Sequence, residues 1–203
     1  HESLRASILR DGKFFGNNCE LSNDIAHRFY RSVFKFADGR TDFFGYALNY
    51  GNLTGYNTHF ATYGAMTQAT PDGRVAGSAL LFGSGQSDGK DTDGVTSHLL
   101  AVAHMDPTGI MCGNSIMNLS VDEATVRDDE GFEKLVSLIE IYFREGGLHI
   151  QLNHVAAEDL IAAKKEPDKY KSIRVRVSGF SATFVKLSEA IQDNVIARTV
   201  NKV

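Results

Sequence analysis

Between Phe132 and Val195 the chain switches repeatedly between two hydrophobic periods, and this constrains its fold more than any other feature. Phe132, Leu135, Val136, Ile139, Tyr142 and Phe143 recur at helical spacing, and Gly146-Gly147 stops them. His149-Ile150-Gln151-Leu152-Asn153 then alternates as a strand. A short helix over Ala157–Lys165 ends before Pro167, and a second alternating stretch, Ile173–Val177, follows. After a turn at Gly179 the apolar positions Phe184, Leu187, Ile191 and Val195 mark a C-terminal helix over about 183–199. Strands alternating with helices imply an α/β layer structure. On the first strand Ile150 and Leu152 share one face, and His149, Gln151 and Asn153 share the other. A polar strand face this close to buried structure is either solvent-exposed or lines a polar cavity.

The first half is less regular. Asp11-Gly12 and Gly16-Asn17-Asn18 are turn signals. Ser22-Asn23-Asp24 reads as a helix start, because short oxygen side chains cap free N–H groups and Asp24 suits the positive end of the dipole. Ile25, Phe29, Val33 and Phe36 then lie on one helical face, ended by Asp38-Gly39. Residues 40–75 read as short strands, with Tyr46, Leu48 and Tyr50 alternating, then Tyr56, Thr58 and Phe60, broken at Gly45, Gly51, Gly55 and Gly64. Thr70-Pro71-Asp72-Gly73-Arg74 is a strong turn signal. Residues 83–97 read as a long glycine-containing loop, and Gly89-Lys90-Asp91 lacks the Ser or Thr of a nucleotide-binding loop. No internal repeat or linker appears, so 1–203 is expected to be a single domain or part of a larger one.

A net charge of -4 without a Lys/Arg run gives no case for nucleic acid or an anionic membrane as partner. The apolar runs are too short to span a bilayer, and two distant cysteines without a disulfide framework lead to the expectation of a reduced, cytoplasmic setting. Cys19 and Cys112 form no disulfide framework or metal-ligand pair. His98 and His104 do not share helical i, i+4 spacing, so no metal is expected.

Arg176-Val177-Ser178-Gly179-Phe180-Ser181-Ala182 closely resembles the radical motif of the glycyl radical enzymes. Three further ordered blocks carry the resemblance. Thr70-Pro71-Asp72-Gly73-Arg74-x-x-Gly77 is similar to a family segment. So is Tyr142-Phe143-x-x-Gly146-Gly147-x-His149-Ile150-Gln151-x-Asn153. Pro167-x-x-Tyr170 precedes the radical motif, and Leu187, Gln192 and Ile196-Ala197-Arg198-Thr199 resemble the family's last helix. Gly16-Asn17-Asn18 fits as well, so the likeness covers about residues 14–200. The tail departs from it: Val200 and Asn201 stand where the family commonly has a residue and then His.

The resemblance implies the C-terminal half of a ten-stranded α/β barrel, with the radical glycine on a loop between a strand and the last helix. It implies that Gly179 stores a radical within the radical loop 174–182, in which Arg176, Val177, Ser178, Phe180, Ser181 and Ala182 surround it. It implies no bound cofactor, and an activating enzyme of the radical S-adenosylmethionine class that installs the radical. Glycine has no Cβ to clash as the radical centre flattens, the small neighbours let the loop enter a tight channel, and Phe180 is expected to pack as an apolar shield.

The family's second loop carries a cysteine that becomes a thiyl radical and attacks substrate. Neither Asn18-Cys19-Glu20 nor Met111-Cys112-Gly113 matches that loop. The expectation is therefore the small subunit of a split, oxygen-sensitive lyase or dehydratase, inactive alone, whose larger partner carries the cysteine. A small polar molecule is the expected substrate, and ring opening of an anhydroglucitol phosphate is one candidate reaction. His59, His149, Gln151 and Asn153 are the candidate pocket-lining residues, and structural hydrogen bonding explains them equally well. Two alternatives remain: a non-enzymatic rescue module that replaces the oxygen-damaged end of a formate-lyase-type enzyme, and a truncated full-length enzyme. Rescue proteins cover mainly the radical domain, whereas the likeness here extends well beyond it.

Overall fold

A computed structural model describes residues 1–48, 50–51, 59–81, 83–85, 90, 92–105, 111–113, 115–121, 126–177 and 180–200. The α/β alternation of the second half is present. Strand β3 (Ile116–Ser120), helix α5 (Asp129–Arg144) and strand β4 (His149–Asn153) make one βαβ unit, with β3 and β4 parallel from Ile116↔His149 to Ser120↔Asn153. Paired residues of a parallel ladder share a face. Met117 and Ile150 therefore lie together, and both pack with Tyr142 of α5 and with Leu99 and Val102 of α4 (Val95–Ala103). Asp128 caps α5, its side chain accepting from the Gly131 amide.

A second core joins α3 (His59–Met66), α6 (Ala157–Lys165), β5 (Arg174–Val177) and α7 (Glu189–Val200) through Phe60, Leu160, Ala163, Val175, Val177, Phe184, Ile191 and Val195. β5 and β6 (Phe180–Thr183) form an antiparallel pair. β1 (Tyr50–Gly51) and β2 (Met111–Gly113) pair in parallel. Helices α1 (Glu2–Asp11) and α2 (Glu20–Phe34) precede them. Among the described residues no helix is long and apolar enough to cross a membrane.

Several expectations are corrected. α2 starts at Glu20, not at Ser22. Ser22 Oγ donates instead to the carbonyls of Phe14 and Cys19, and Asn23 Oδ1 accepts from the Gly16 amide, so both side chains serve the preceding loop. The strand expected to end at Phe60 is replaced there by α3: Phe60 and Gly64, four residues apart, are the buried positions of a helix, and helical period overrides the apparent alternation. The rest of that expected strand, Tyr56 to Thr58, lies outside the described residues. The expected loop 83–97 ends early, at α4, whose N-cap is Gly94. α1 was not anticipated; Arg5 Nε ties it to the Gly73 carbonyl at 2.8 Å. The C-terminal helix begins at Glu189: Phe184–Lys186 is a 3-10 turn, which Gln192 holds by donating to the Phe184 carbonyl.

The apolar face read on α2 exists but points outward. Ile25 is 51% and Phe29 64% exposed, and Phe36, which the structure places just beyond the helix end at Phe34, is 61% exposed. α5 shows the same on its outer side at Phe132 and Phe143. Contiguous apolar stripes of this kind mark surfaces built to be covered.

Candidate functional site

The site is built on β4 and β5. Tyr142 is completely buried at the end of α5, and burial pushes its phenol pKa up to about 12. Its hydroxyl donates to the His149 carbonyl at 3.4 Å, which ties the helix end to the first residue of β4. Between them the Gly147 amide donates back to the Tyr142 carbonyl. The Tyr-Phe-x-x-Gly-Gly block is therefore a device for launching β4.

Beyond this anchor the orientation of β4 is the reverse of what a simple alternating strand suggests. The polar residues are the buried ones: Gln151 is 3% and Asn153 8% exposed, whereas Leu152 is 41% exposed. The solvent-exposed alternative is therefore excluded for Gln151 and Asn153. Asn153 Oδ1 accepts from the Arg176 amide at 3.1 Å, fastening β4 to β5 three residues before Gly179. On β3, Asn118 and Ser120 stand opposite Gln151 and Asn153 and share their face. Sequence reading missed these two, although Met117/Leu119 alternating with Asn118/Ser120 was the available signal. The backbone at Gly83 runs so close that a Cβ there would meet the Ile116 carbonyl oxygen at 2.5 Å and Asn118 Nδ2 at 2.8 Å.

The hairpin is rooted in the second core by Val175 and Val177, which are 3% and 2% exposed. Its opposite face carries Arg174, whose Nη2 donates to the Ser181 carbonyl, and Arg176, whose Nη1 donates to Ser181 Oγ at 3.4 Å. Val177 pairs with Phe180, so the loop bearing Gly179 joins two antiparallel strands; the expected strand-to-helix connection is thereby corrected. Residues 180–182, read as part of the radical loop, and Thr183, read as the helix start, pair instead on a ladder with β5. Ser178 and Gly179 themselves lie outside the described residues. Phe180 is 44% exposed, so the expected shield is only partly covered, and Ser181 is exposed while Ala182 is half-buried.

Two further expectations change. His59 is not on a strand face: it opens α3, is exposed, and stacks on Tyr63 with ring centres 5.2 Å apart. Cys19 is the N-cap of α2, and the side chain of Cys112 on β2 lies outside the description. Among the described residues no three His, Cys, Asp or Glu side chains group as a metal site. A cleft of about 690 Å³ between α1, α3 and α7 is lined by Arg5, Asp72, Arg74 and Asn194, and by none of the predicted pocket residues. Its Arg74 is structural, donating to the carbonyls of Thr67, Gln68 and Ser78 and so closing the end of α3.

His98 on α4 lies against Gly85, and its Nε2 is shut off from water without a hydrogen-bond partner. Burial lowers its pKa to about 4, so the ring is neutral at pH 7. An unfolded histidine titrates near 6.5. Its contribution to stability is therefore complete above pH 6.5 and is lost as pH falls toward 4, by about 2–3 kcal/mol in all. Urea unfolding at pH 7 and pH 5 should show this loss in the wild type and a smaller one in His98→Gln; equal losses would show that other groups cause it.

Comparison with known proteins identifies the family. The family model described as "Glycine radical" matches residues 83–185. The chain is 33% identical over 204 residues to the "Probable dehydratase YbiW" of Escherichia coli (strain K12), covering 98% of this chain and 25% of that protein. It is 35% identical over 190 residues to the "4-hydroxyphenylacetate decarboxylase glycyl radical subunit" of Clostridioides difficile (strain 630), covering 93% of this chain and 21% of that subunit. Among solved structures, a Roseburia inulinivorans protein studied for 1,2-propanediol dehydration matches with TM-score 0.88 and 31% identity, over 98% of this chain and 24% of that one. The chain belongs to the glycyl radical family. It spans about a quarter of the length of these relatives.

Proposed function

We propose that this chain is the radical-bearing part of an anaerobic lyase or dehydratase, with Gly179 as the radical site. The observation that carries the reading is the family match over 83–185, which spans the whole hairpin and both strands of the polar face. A radical S-adenosylmethionine activating enzyme removes a hydrogen atom from the Gly179 Cα. The glycyl radical then takes a hydrogen atom from a cysteine thiol, restoring the glycine and leaving a thiyl radical. The thiyl takes a hydrogen atom from substrate, whose radical loses its neighbouring group, and hydrogen return regenerates each radical in reverse order.

The cysteine belongs to a larger partner subunit, with which this chain completes a ten-stranded α/β barrel as one half-barrel domain. The outward apolar stripes of α2 and α5 and the partly covered Phe180 favour such a partner. In this reading the substrate is a small polar molecule of the relatives' kind, and the buried polar residues Gln151 and Asn153 are the proposed pocket residues. In this arrangement Arg176 and Ser181 hold the hairpin, and the small Ser178 and Ala182 leave room for its insertion.

The test is anaerobic activation followed by electron paramagnetic resonance. A doublet, split by the single remaining Cα hydrogen, should appear at Gly179 and collapse to a singlet when the protein is made with Cα-deuterated glycine. No doublet in a protein activated together with its partner, or a doublet indifferent to deuteration, would overturn the assignment.

A further inference from the structure

The polar residues around Asn194 on α7 are paired. Gln192 donates to the Phe184 carbonyl, Asp193 takes the Lys164 ammonium, and Thr199 Oγ1 donates to the Val195 carbonyl. Asn194 is 7% exposed, yet no described residue hydrogen-bonds its carboxamide. Its polar atoms are not sealed away as those of Gln151 are, and it forms part of the wall of the cleft between α1, α3 and α7. A helical position this buried ordinarily takes an apolar side chain, because a polar group there loses its water without gaining a partner. The Asn194 carboxamide therefore answers to something held in the cleft.

The cleft has the size and character of a small-molecule site. Its volume, about 690 Å³, lies within the range of about 300–1,000 Å³ typical of ligand pockets, which are mainly apolar with a few orienting polar groups. Ala61 and Ala65 of α3 and Ala190 and Ala197 of α7 face the space without filling it. Of the charged side chains that line it, Arg5 is engaged by the Gly73 carbonyl and Glu2, and Arg74 by the carbonyls closing α3. Asp72 accepts from the Thr70 hydroxyl and the Arg74 amide, and Asp193 pairs with Lys164. Lys90 is the exception. Its ammonium lies 4.7 Å over the Phe14 ring and meets no carboxylate among the described residues.

Two uncommitted groups are left, an ammonium that lacks an anion and a carboxamide able to donate. A carboxylate answers both, pairing with Lys90 and accepting from Asn194 Nδ2. An amine would meet Lys90 with like charge and find Asp72 and Asp193 already engaged. An inorganic anion would leave the alanine walls uncovered.

We propose that this cleft is a binding site for a small carboxylate with an aliphatic body, its charged end held by Lys90 and Asn194 and its chain lying between the alanines of α3 and α7. The site is separate from the radical hairpin and does not depend on the radical reading: no described residue of the loop 174–182 lines it.

The experiment uses the full chain in the assembly in which it purifies, with isothermal titration as the readout. The probes are hexanoate, hexanamide as its neutral counterpart, hexylamine and inorganic phosphate. Hexanoate should bind at one site per chain, hexanamide and phosphate at least tenfold more weakly, and hexylamine not at all. Lys90→Met should weaken hexanoate at least tenfold, to the level of hexanamide, and leave hexanamide unchanged. Asn194→Ala should weaken both severalfold. Ala65 is exposed on α3, so Ala65→Phe fills the cleft without disturbing a core and should abolish binding. The Lys90 and Ala65 variants decide the question if Asn194→Ala does not fold. Equal affinity for hexanoate and hexanamide overturns the proposal, as does hexanoate binding that is unchanged in Lys90→Met or in Ala65→Phe. No hexanoate binding at all also overturns it, and is the result expected of a cleft filled by a partner chain.

Discussion

Gly179→Ala is expected to abolish the radical signal and to reduce product formation to background in the assembled enzyme. A Cα radical is stabilised when the centre flattens, so that the nitrogen lone pair and the carbonyl share its spin. A methyl group at that centre crowds the flanking peptide groups in the flattened geometry, and glycine alone avoids this. Enzymes commonly exceed the uncatalysed reaction by about a millionfold or more, so losing the group that starts the chain of hydrogen transfers leaves only the background rate. The flanking pair Val177↔Phe180 and the buried Val175 and Val177 hold the hairpin independently of Gly179. The variant should therefore assemble with an unchanged melting temperature. Exposure of the activated wild type to air should cut the chain beside Gly179, and the variant should stay intact. A variant that still shows the doublet, or is still cut there, would place the radical elsewhere.

What could be read in the sequence depended on where each segment's hydrophobic partner lies. β4, α5, α6 and β5 were legible because their periods answer to cores inside this chain, such as Tyr142 against Met117 and Leu160 beside Val175. α2 has an equally clear period, but its face is exposed here. The pattern reported a partner surface correctly and the location of that surface not at all. The orientation of β4 was ambiguous for the same kind of reason. Alternation separates two faces, but only packing decides which is inside; here Ile150 shares the helix-covered face with Met117, while Gln151 is buried on the other. α3 was misread because a few residues of mixed character satisfy either period, and β6 was read as loop because its residues are mostly small and its pairing partner is set only by the fold. In each, tertiary contact chose: Phe60 into the second core, and Phe180–Thr183 onto the ladder of β5. The motif blocks located the launch of β4 directly, since a Cβ at Gly147 would meet the Tyr142 ring, a local reason that survives without knowledge of the fold; they did not give the pairing of β5 with β6.

Gly147→Ala should be strongly damaging although it lies outside the radical loop. A Cβ at residue 147 would lie 2.4 Å from both Cε1 and Cζ of Tyr142. Neither side can yield. The ring is fully buried among Leu99, Val102, Met105 and Met117, and its hydroxyl is bound to the His149 carbonyl. The backbone at 147 is held to the Tyr142 carbonyl at 2.9 Å. Overpacking of this kind costs about 3 kcal/mol. For a chain of this size that corresponds to a fall in melting temperature on the order of 10 °C. The damage should reach the site, because the strain is released most easily by shifting the first residue of β4 and with it Gln151 and Asn153. Radical yield should therefore drop along with stability. Tyr142→Leu in the same chain removes the clashing ring at the cost of a cavity. The double variant should then lose less stability than the sum of the two single losses, a coupling measurable by urea unfolding. Strict additivity would mean that the two residues do not meet and that β4 is launched by some other contact.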